Sequence, residues 1–506
     1  MLSRITTAIY TGIEGHITIV EISVAKGVPR FSIVGLPSTG ILESRERVRS
    51  SIVNCGYEFP RGKITVNLIP ANLRKTGSHL DLPIAVGLLV QTGAVNPLNA
   101  ESIGILGELA LDGRVNGVDG VLPMVIKLNQ IGIKRIIVPA DNYYEASLVD
   151  GAEIVPCSTL RECIGLINGI LLPRRIEPRN EGISDPFHMD FNQIFGQENA
   201  KRAIAVAVTG RHGILMVGSP GCGKTMLAKR IPSIMPDMSR EEMLETSIIY
   251  SVAGRLNIGE ALVKDRPFRS PHSSISPAGL IGGGSYPVPG ELSLAHNGIL
   301  FLDEIGEFSR SSIEAMRTPV EDGFINHFRH GYQYYYPCRF SLVMASNPCK
   351  CGYYGSDVKM CTCTEREVEQ YRRKLSGPMM DRVDIKIEME KVEYKEISGE
   401  FGEGLSSADM AQMVRKGRAF ALSEGRTRPN GELSEEDVKT HCVLDDSCRS
   451  LMEKAYDRLR LSPRSYIKIL KVARTIADIE ECRDINETHL AEALSYRIFS
   501  ETDGAA

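Results

Sequence analysis

A glycine-rich octet holds the residue types best suited to binding a nucleotide. It follows the apolar run 214–217 and consists of Gly218, Ser219, Pro220, Gly221, Cys222, Gly223, Lys224 and Thr225. The octet has every fixed position of a phosphate-binding loop, and its flanks predict a strand before it and a helix after it. In such a loop, backbone N–H groups approach the phosphates, the lysine reaches the outer phosphates, and the threonine hydroxyl coordinates Mg²⁺. These residues predict a site for ATP with Mg²⁺.

Two acidic residues follow a second apolar run, 298–302. Asp303 is predicted to hold Mg²⁺, and Glu304 is predicted to activate the attacking water. Phosphoryl transfer depends more on positioning and charge neutralisation than on covalent help from the protein. The octet and the acidic pair together predict ATP hydrolysis.

Three further polar residues stand where strands or helices are predicted to begin or end. Asn347 follows the apolar run 342–346, where its amide could orient water near the γ-phosphate. Arg382 precedes a predicted strand, and Arg464 opens a predicted helix. An arginine supplied across a subunit boundary stabilises transition-state charge, so both arginines are candidate catalytic groups. A surface ion pair is the ordinary alternative for a lone arginine.

Four cysteines lie close together in the sequence: Cys349, Cys351, Cys361 and Cys363. Two pairs of thiolates on one loop can bind tetrahedral Zn²⁺. The single residue inside each pair is a tighter spacing than the two to four residues usual in structural zinc sites. A structural Zn²⁺ site and a set of reduced, unliganded thiols therefore both stay open.

Composition excludes several classes of protein. The 506 residues suggest roughly three domains, and 42% hydrophobic with 24% charged residues exclude general disorder. A net charge of −4 means that an anionic partner must be contacted locally. The apolar stretch 80–90 is too short for a membrane span, and the first residues lack a signal-peptide core. Because twelve cysteines in a chain this long do not suggest a disulfide scaffold, we expect a cytoplasmic protein without membrane contact.

The chain divides into units of different character, and the predicted fold is α/β and multidomain. Residues 1–172 alternate short β-branched runs with helical segments, and 173–189 read as a linker because prolines and charges replace the apolar pattern. Residues 190–394 alternate strands and helices, which is typical of a parallel sheet. Residues 395–506 are predicted to be helical, with Ser434 and Asn486 as helix N-caps.

Long diagnostic segments identify a family resemblance that covers nearly the whole chain. They are 266–272, 280–284, 289–298 and 470–478. Through them the chain resembles the magnesium-chelatase-like AAA+ ATPases of the ComM (YifB) family. The resemblance implies a P-loop AAA+ core with a C-terminal helical lid, assembled as a homo-hexameric ring. It also implies that Asn347 is sensor 1, Arg382 a finger acting in trans, and Arg464 sensor 2 on the lid.

The N-terminal unit resembles the proteolytic domain of Lon-type proteases in the segments 74–83, 106–113 and 132–139. Lon-type cleavage needs a serine nucleophile and a lysine base. Alignment of the shared segments puts His79 and Leu122 at those two positions, which predicts an inactive domain with a structural or substrate-binding role. Three nearby cations could contact phosphates, although ordinary solvated charges are the favoured interpretation. These cations are Lys63, Arg74 and Lys75.

The family resemblance implies a motor that acts on branched or single-stranded DNA. It would be a branch-migration helicase working in homologous recombination or natural transformation. The segment 324–336, with Arg329 and several aromatic residues, could grip a DNA strand by charge and stacking. It could equally be a hairpin whose rings pack locally. A magnesium-chelatase-type ATPase motor and an ATP-gated protein remodeller or scaffold are the alternative functions.

Overall fold

The fold is described from a computed structural model of the chain, which covers residues 2–174, 189–256, 262–355, 359–375, 379–389 and 404–497. Mixed α/β structure is followed by helices, as predicted for the fold class. Most of the predicted linker, 173–189, lies outside the described residues.

A seven-stranded mixed sheet is the centre of the N-terminal unit, with the strand order β3-β4-β2-β1-β5-β8-β9. Strand β2 is antiparallel to both β1 and β4, and the other neighbours are parallel. Strands β6 and β7 form a separate small ribbon. The strands are β1 (Leu2–Thr11), β2 (Glu14–Ala25), β3 (Arg30–Val34), β4 (Lys63–Ile69), β5 (Ile103–Ile105), β6 (Glu108–Leu109), β7 (Val115–Asn116), β8 (Arg135–Pro139) and β9 (Glu153–Cys157).

Six helices accompany this sheet: α1 (Thr39–Asn54), α2 (Asp81–Gln91), α3 (Pro97–Glu101), α4 (Val121–Gln130), α5 (Tyr143–Ala146) and α6 (Leu160–Ile167). Helix α2 is the apolar stretch noted in the sequence, and it is buried from Asp81 to Val90. The Asp81 carboxylate accepts hydrogen bonds from Ser44 and, at 2.6 Å, from Arg47. A buried charge needs such partners, so this helix belongs to the core.

A five-stranded parallel sheet forms the second unit, with the order β11-β12-β15-β10-β16. Because all five strands are parallel, β10, β12 and β15 end at one edge, which we call the carboxyl edge. A hairpin of two antiparallel strands, β13 and β14, precedes β15. The strands are β10 (Ile214–Gly218), β11 (Phe268–Arg269), β12 (Ile299–Leu302), β13 (Phe324–Arg329), β14 (Tyr332–Pro337), β15 (Ser341–Ser346) and β16 (Ile385–Met389).

The helices of the second unit are α7 (Glu198–Gly210), α8 (Lys224–Arg230), α9 (Arg240–Val252), α10 (Pro277–Ile281), α11 (Glu291–Leu294), α12 (Arg310–Asp322) and α13 (Glu365–Leu375). Those of the C-terminal lid are α14 (Ser407–Ser423), α15 (Glu435–His441), α16 (Asp446–Arg458), α17 (Pro463–Ile479) and α18 (Glu487–Ser495). The predicted N-caps are confirmed, because Ser434 and Asn486 each form a capping box at the start of α15 and α18. One hydrophobic core runs from the parallel sheet into the lid.

A buried polar network joins the sheet to the lid. The imidazole of His212 lies between Asp384, at 3.0 Å, and Thr475 of α17, at 2.8 Å. Lys468 of α17 pairs with the same aspartate at 2.9 Å. Burial opposes ionisation of Asp384, but the His212 hydrogen bond and the Lys468 charge hold its pKa well below the usual range. The network fixes α17 relative to the start of β16.

The N-terminal unit packs on α9 of the second unit. The backbone N–H of Gly120 donates to the carbonyl of Ser251 at 3.0 Å, and the N–H of Leu122 donates to the Ser251 hydroxyl at 3.4 Å. Tyr10 and Ile13 pack against the apolar cluster beside the hairpin. The two α/β units therefore share apolar and polar contacts. Among the described residues, no helix is both long and apolar enough to cross a membrane.

Candidate active site

The glycine-rich octet lies between β10 and α8, in the strand-to-helix setting that the sequence predicts. Gly221 and Gly223 have φ values of 85° and 96°, in the left-handed region that other residues rarely adopt. A Cβ at either position would meet nothing within 4 Å, so the backbone conformation, not crowding, requires glycine there. The resulting open turn leaves its N–H groups accessible to phosphate oxygens.

Lys224 is held at the centre of this loop. Its Nζ donates to the carbonyl oxygens of Gly218 at 2.6 Å and Ser219 at 3.0 Å. It also donates to Oδ1 of Asn347 at 3.2 Å. The structure thus brings the predicted phosphate-binding lysine and the predicted water-orienting amide together at the carboxyl edge.

Thr225 and Asp303 are also in contact. The Thr225 hydroxyl donates to Oδ2 of Asp303 at 2.8 Å. A hydroxyl and a carboxylate side by side are the hard oxygen ligands that Mg²⁺ prefers, so the pair fits the predicted metal. Glu304 follows with an exposed side chain and a φ of 51°, and its N–H donates to the other Asp303 oxygen at 3.0 Å. A positive φ at a residue other than glycine is uncommon and concentrates at functional sites.

Arg382 and Arg464 lie away from this cluster. Ile214 pairs with Ile385 and Gly218 pairs with Met389, so Arg382 stands before the amino end of β16 while the octet follows the carboxyl end of β10. The four residue steps between those pairs alone span about 13 Å. Arg382 therefore lies at the end of the sheet opposite the phosphate loop of its own chain, and Arg464 shares an acidic partner with it.

Glu321 of α12 brings the two arginines together. Its carboxylate pairs with Nη2 of Arg382 and, through the other oxygen at 3.3 Å, with Nη2 of Arg464. The three side chains line a cavity of about 620 Å³ that Lys468 and Lys471 also border. The sequence did not point to Glu321, because a lone acid on an amphipathic helix carries no motif. We call this cavity the arginine face.

The four cysteines converge on one point beside Asn347. Three sulfur pairs are 3.3, 3.7 and 3.5 Å apart, and all four sulfurs lie within 4.8 Å of one another. A disulfide needs about 2.05 Å. Four sulfurs bound to one Zn²⁺ at about 2.3 Å would stand about 3.8 Å apart, so the cluster can accommodate a metal. Backbone N–H groups of Thr362 and Tyr353 lower the pKa of the Cys351 thiol to about 5, whereas at Cys361 the Cys363 backbone N–H is outweighed by burial and the neighbouring thiols, which raise the pKa to about 12, and the pKa of Cys363 is also raised.

The aromatic hairpin β13–β14 has a buried side and an exposed tip. Tyr334 and Tyr336 are buried in the apolar cluster, whereas Phe328 is 68% exposed beside exposed Arg329. Tyr286, from the glycine-rich segment 282–288, lies 6.4 Å from the ring of His330 at the hairpin turn. Arg74 of the N-terminal unit stacks 5.4 Å above Tyr286. Inner rings stabilise the hairpin, and outer cations and rings form a mixed surface that we call the hairpin surface.

The Lon-like positions are closed to chemistry. His79 is buried, burial lowers its pKa to about 4, and its Nε2 has no hydrogen-bond partner in the described part of the chain. Leu122 is fully buried under Ser251. The expectation of a solvated Lys75 is wrong: the side chain is buried, donates to the carbonyl of Pro70, and has its pKa lowered to about 8 by burial. Lys63 is exposed as expected.

Comparison with known proteins agrees with this architecture. Three family models match: subunit ChlI of Mg-chelatase at 20–142, magnesium chelatase subunit ChlI at 190–397, and the ChlI C-terminal region at 404–497. The chain is 38% identical over 496 residues to YifB of Escherichia coli, covering 98% of this chain and 97% of that protein. It is also 38% identical to the competence protein ComM of Haemophilus influenzae, over 96% of this chain and 95% of ComM.

The chain belongs to the ComM/YifB family of magnesium-chelatase-like proteins. This confirms the predicted family, and membership in it implies an ATPase with a P-loop AAA+ core. Lon protease 2 of Bacillus subtilis is 30% identical over 138 residues, which are 26% of this chain and 25% of that protease. The Lon-like resemblance of the N-terminal region is thereby confirmed.

Proposed function

We propose that this ComM/YifB family member is an ATP-dependent DNA motor in the cytoplasm, a homo-hexameric branch-migration helicase of homologous recombination and natural transformation. The observation that carries the proposal is the position of Arg382 and Arg464 at the arginine face, opposite the phosphate loop of their own chain. Arginines placed there would act on the nucleotide of a neighbouring subunit. The name of the competence protein ComM supports the link to DNA uptake.

Within one subunit, Lys224 would bind the outer phosphates of ATP, and Thr225 with Asp303 would hold Mg²⁺. The bound ion supplies neutralisation of phosphate charge. Glu304 would orient and deprotonate the attacking water, and Asn347 would position that water beside the γ-phosphate. The neighbouring subunit would contribute Arg382 and Arg464, which stabilise the charge that develops on the transferred phosphoryl group. The four clustered cysteines would hold a structural Zn²⁺.

The hairpin surface supplies the groups that DNA requires. Phe328 and Tyr286 offer exposed aromatic faces, and Arg329 and Arg74 offer guanidinium groups beside them. Base stacking together with local cations binds single strands without sequence preference. With a net charge of −4 the chain lacks a general basic field, which makes such local contacts necessary.

A single assay tests the proposal. ATP turnover is measured alone, with single-stranded DNA, with a four-way junction, and with an unfolded protein, while light scattering records the assembly with nucleotide. We expect DNA to raise turnover and nucleotide to favour the hexamer. A chain that stays monomeric and hydrolyses ATP at full rate would contradict the ring, and stimulation by unfolded protein alone would favour the protein remodeller.

A magnesium-chelatase-type motor is the second candidate, because all three matching family models are named for subunit ChlI. It predicts ATP-dependent insertion of Mg²⁺ into a tetrapyrrole with partner subunits and no response to DNA. The Lon-like unit is proposed to have no peptidase activity, since neither His79 nor Leu122 can supply the serine and lysine chemistry.

A further inference from the structure

The four-cysteine cluster is built as a metal site and not as a chance grouping of thiols. The Sγ atoms of Cys349, Cys351 and Cys361 lie 3.3 to 3.7 Å apart, and all four sulfurs lie within 4.8 Å of one another. None of the four is part of a disulfide. Soft thiolates in a tetrahedral arrangement select Zn²⁺ over Mg²⁺.

The same loop presses against the phosphate loop. A Cβ added at Gly352 would lie 2.7 Å from Cδ of Pro220, inside contact distance, and 3.8 Å from Cγ of Asn347. The N–H of Gly352 donates to the carbonyl of Cys349 at 3.0 Å, so its position follows from that of a metal ligand. The cysteine loop, residues 349–355 and 359–363, thus forms one wall of the nucleotide pocket.

Two further contacts connect the loop to the strand that carries Asn347. Tyr371 of α13, which follows the loop, hydrogen bonds with Ser346. Arg372 of the same helix stacks 4.8 Å above the ring of Tyr354. The cysteine loop, α13 and the end of β15 are therefore joined on both sides of Asn347.

We propose that Zn²⁺ bound by Cys349, Cys351, Cys361 and Cys363 holds Gly352 against Pro220 and thereby sets the nucleotide affinity of the phosphate loop. The inference rests on the proposed function only in requiring that this loop binds nucleotide. The ion takes no part in hydrolysis. Its role is to keep one wall of the pocket in place while the phosphates enter and leave.

Metal content tests the first half of the inference. The full chain purified without chelator should contain about one zinc ion per chain, by elemental analysis. Cys363→Ser should lose most of it, and Cys482→Ser, which alters a cysteine of the lid, should keep it. A chain that binds no zinc when zinc is supplied, with its thiols reduced, would overturn the inference.

Nucleotide affinity tests the second half, with fluorescent methylanthraniloyl-ADP and Mg²⁺ as the probe. Gly352→Ala should keep its zinc and bind the probe roughly tenfold more weakly, because the new methyl group overlaps Pro220. Gly355→Ala is the matched control. Gly355 has a comparable positive φ, 73° against 85°, but its added Cβ meets nothing within 4 Å. Zinc removal by a chelator should weaken the probe's binding to a similar degree, and Zn²⁺ but not extra Mg²⁺ should restore it.

The outcomes separate this inference from the proposed function. If both glycine variants keep zinc and bind the probe equally, the coupling is wrong while the metal site and the ATPase stand. If the zinc-loaded parent chain does not bind the probe at all, the proposed function fails first. If Gly352→Ala alone binds weakly while retaining zinc, and the zinc-free chain does likewise, the inference holds.

Discussion

The two α/β units of this chain differ in what surrounds the polar residues at the positions that could do chemistry. In the second unit, Lys224 contacts Asn347 and Thr225 contacts Asp303 at the carboxyl edge of the parallel sheet. In the N-terminal unit, the Lon-like positions hold a neutral buried histidine and a buried leucine, and a neighbouring lysine is closed off beneath a carbonyl. Both units have a fold that can support catalysis. A fold does not by itself fix an activity, since activity depends on which residues stand at the site and what surrounds them.

Lys224→Ala should have the largest effect in the second unit. Loss of the ammonium group that is proposed to bind the outer phosphates should lower ATP turnover about a hundredfold or more, because few other groups could neutralise that charge. The measurement is phosphate release at saturating ATP. Lys229→Ala removes an exposed lysine of the same helix and should leave turnover within about twofold. Equal rates of phosphate release in the two variants would mean that Lys224 is not essential for ATP turnover.

Arg382→Ala should lower turnover by about a thousandfold while nucleotide binding stays near the parent value. The phosphate loop of the variant is intact, and the missing group would, under the proposed function, belong to the neighbour's site. Mixing this variant with Lys224→Ala should restore part of the turnover, since an intact loop can then meet an intact arginine. No recovery in demonstrably mixed rings, or a normal rate from the arginine variant alone, would mean that Arg382 does not act in trans.

Glu145→Gln should give a smaller, pH-dependent effect at the contact between the two units. Burial raises the pKa of Glu145 to about 7, with the Ser251 and Asn142 hydrogen bonds opposing the shift and Asp119 adding to it. Since the folded state holds this proton more tightly, stability falls as pH rises from the ordinary carboxyl value through about 7. At pH 8 the variant should be more stable than the parent by up to about 3 kcal/mol in the free energy of unfolding, and its melting temperature should be correspondingly higher. At pH 4 the parent and the variant should be equally stable. A gain in stability confined to low pH would mean that the direction assigned to the Glu145 pKa shift is wrong.

His79→Ser should have the smallest effect. The substitution introduces a serine, the residue type of the Lon nucleophile, but it supplies no base. Peptide hydrolysis should therefore stay absent, and ATP turnover should change less than about twofold. Casein digestion and phosphate release are the two measurements. Peptide cleavage by either the parent or the variant would contradict the prediction that the Lon-like unit has no peptidase activity.

The sequence predicted best what lies in contiguous motifs. The phosphate loop, the acidic pair and the helix caps at Ser434 and Asn486 each depend on residues a few positions apart, so local chemistry identifies them. Glu321 could not be found this way, because its role arises only when α12, the start of β16 and the lid helix meet. The contact of Gly352 with Pro220 joins segments far apart in the chain for the same reason.

The burial of individual side chains was also not predictable from the spacing of residues in the sequence. Lys75 was expected in solvent, as most lysines are, but the docking of its loop placed it inside. The aromatic segment at 324–336 left two interpretations open, and the structure shows that its inner rings pack locally while its tip is exposed. Contact of that tip with DNA stays a prediction. Alternation along a hairpin permits such a division, and only tertiary contacts decide which rings are covered.

The buried network around Asp384 links the positions of Arg382 and Arg464. Asp384 lies two positions after Arg382, and its partner Lys468 lies four positions after Arg464. The two arginines are thus mounted on a single rigid body, clamped by an ion pair shielded from water. If this body moved relative to an adjoining subunit in the proposed ring, both guanidinium groups would approach that subunit, or leave it, together.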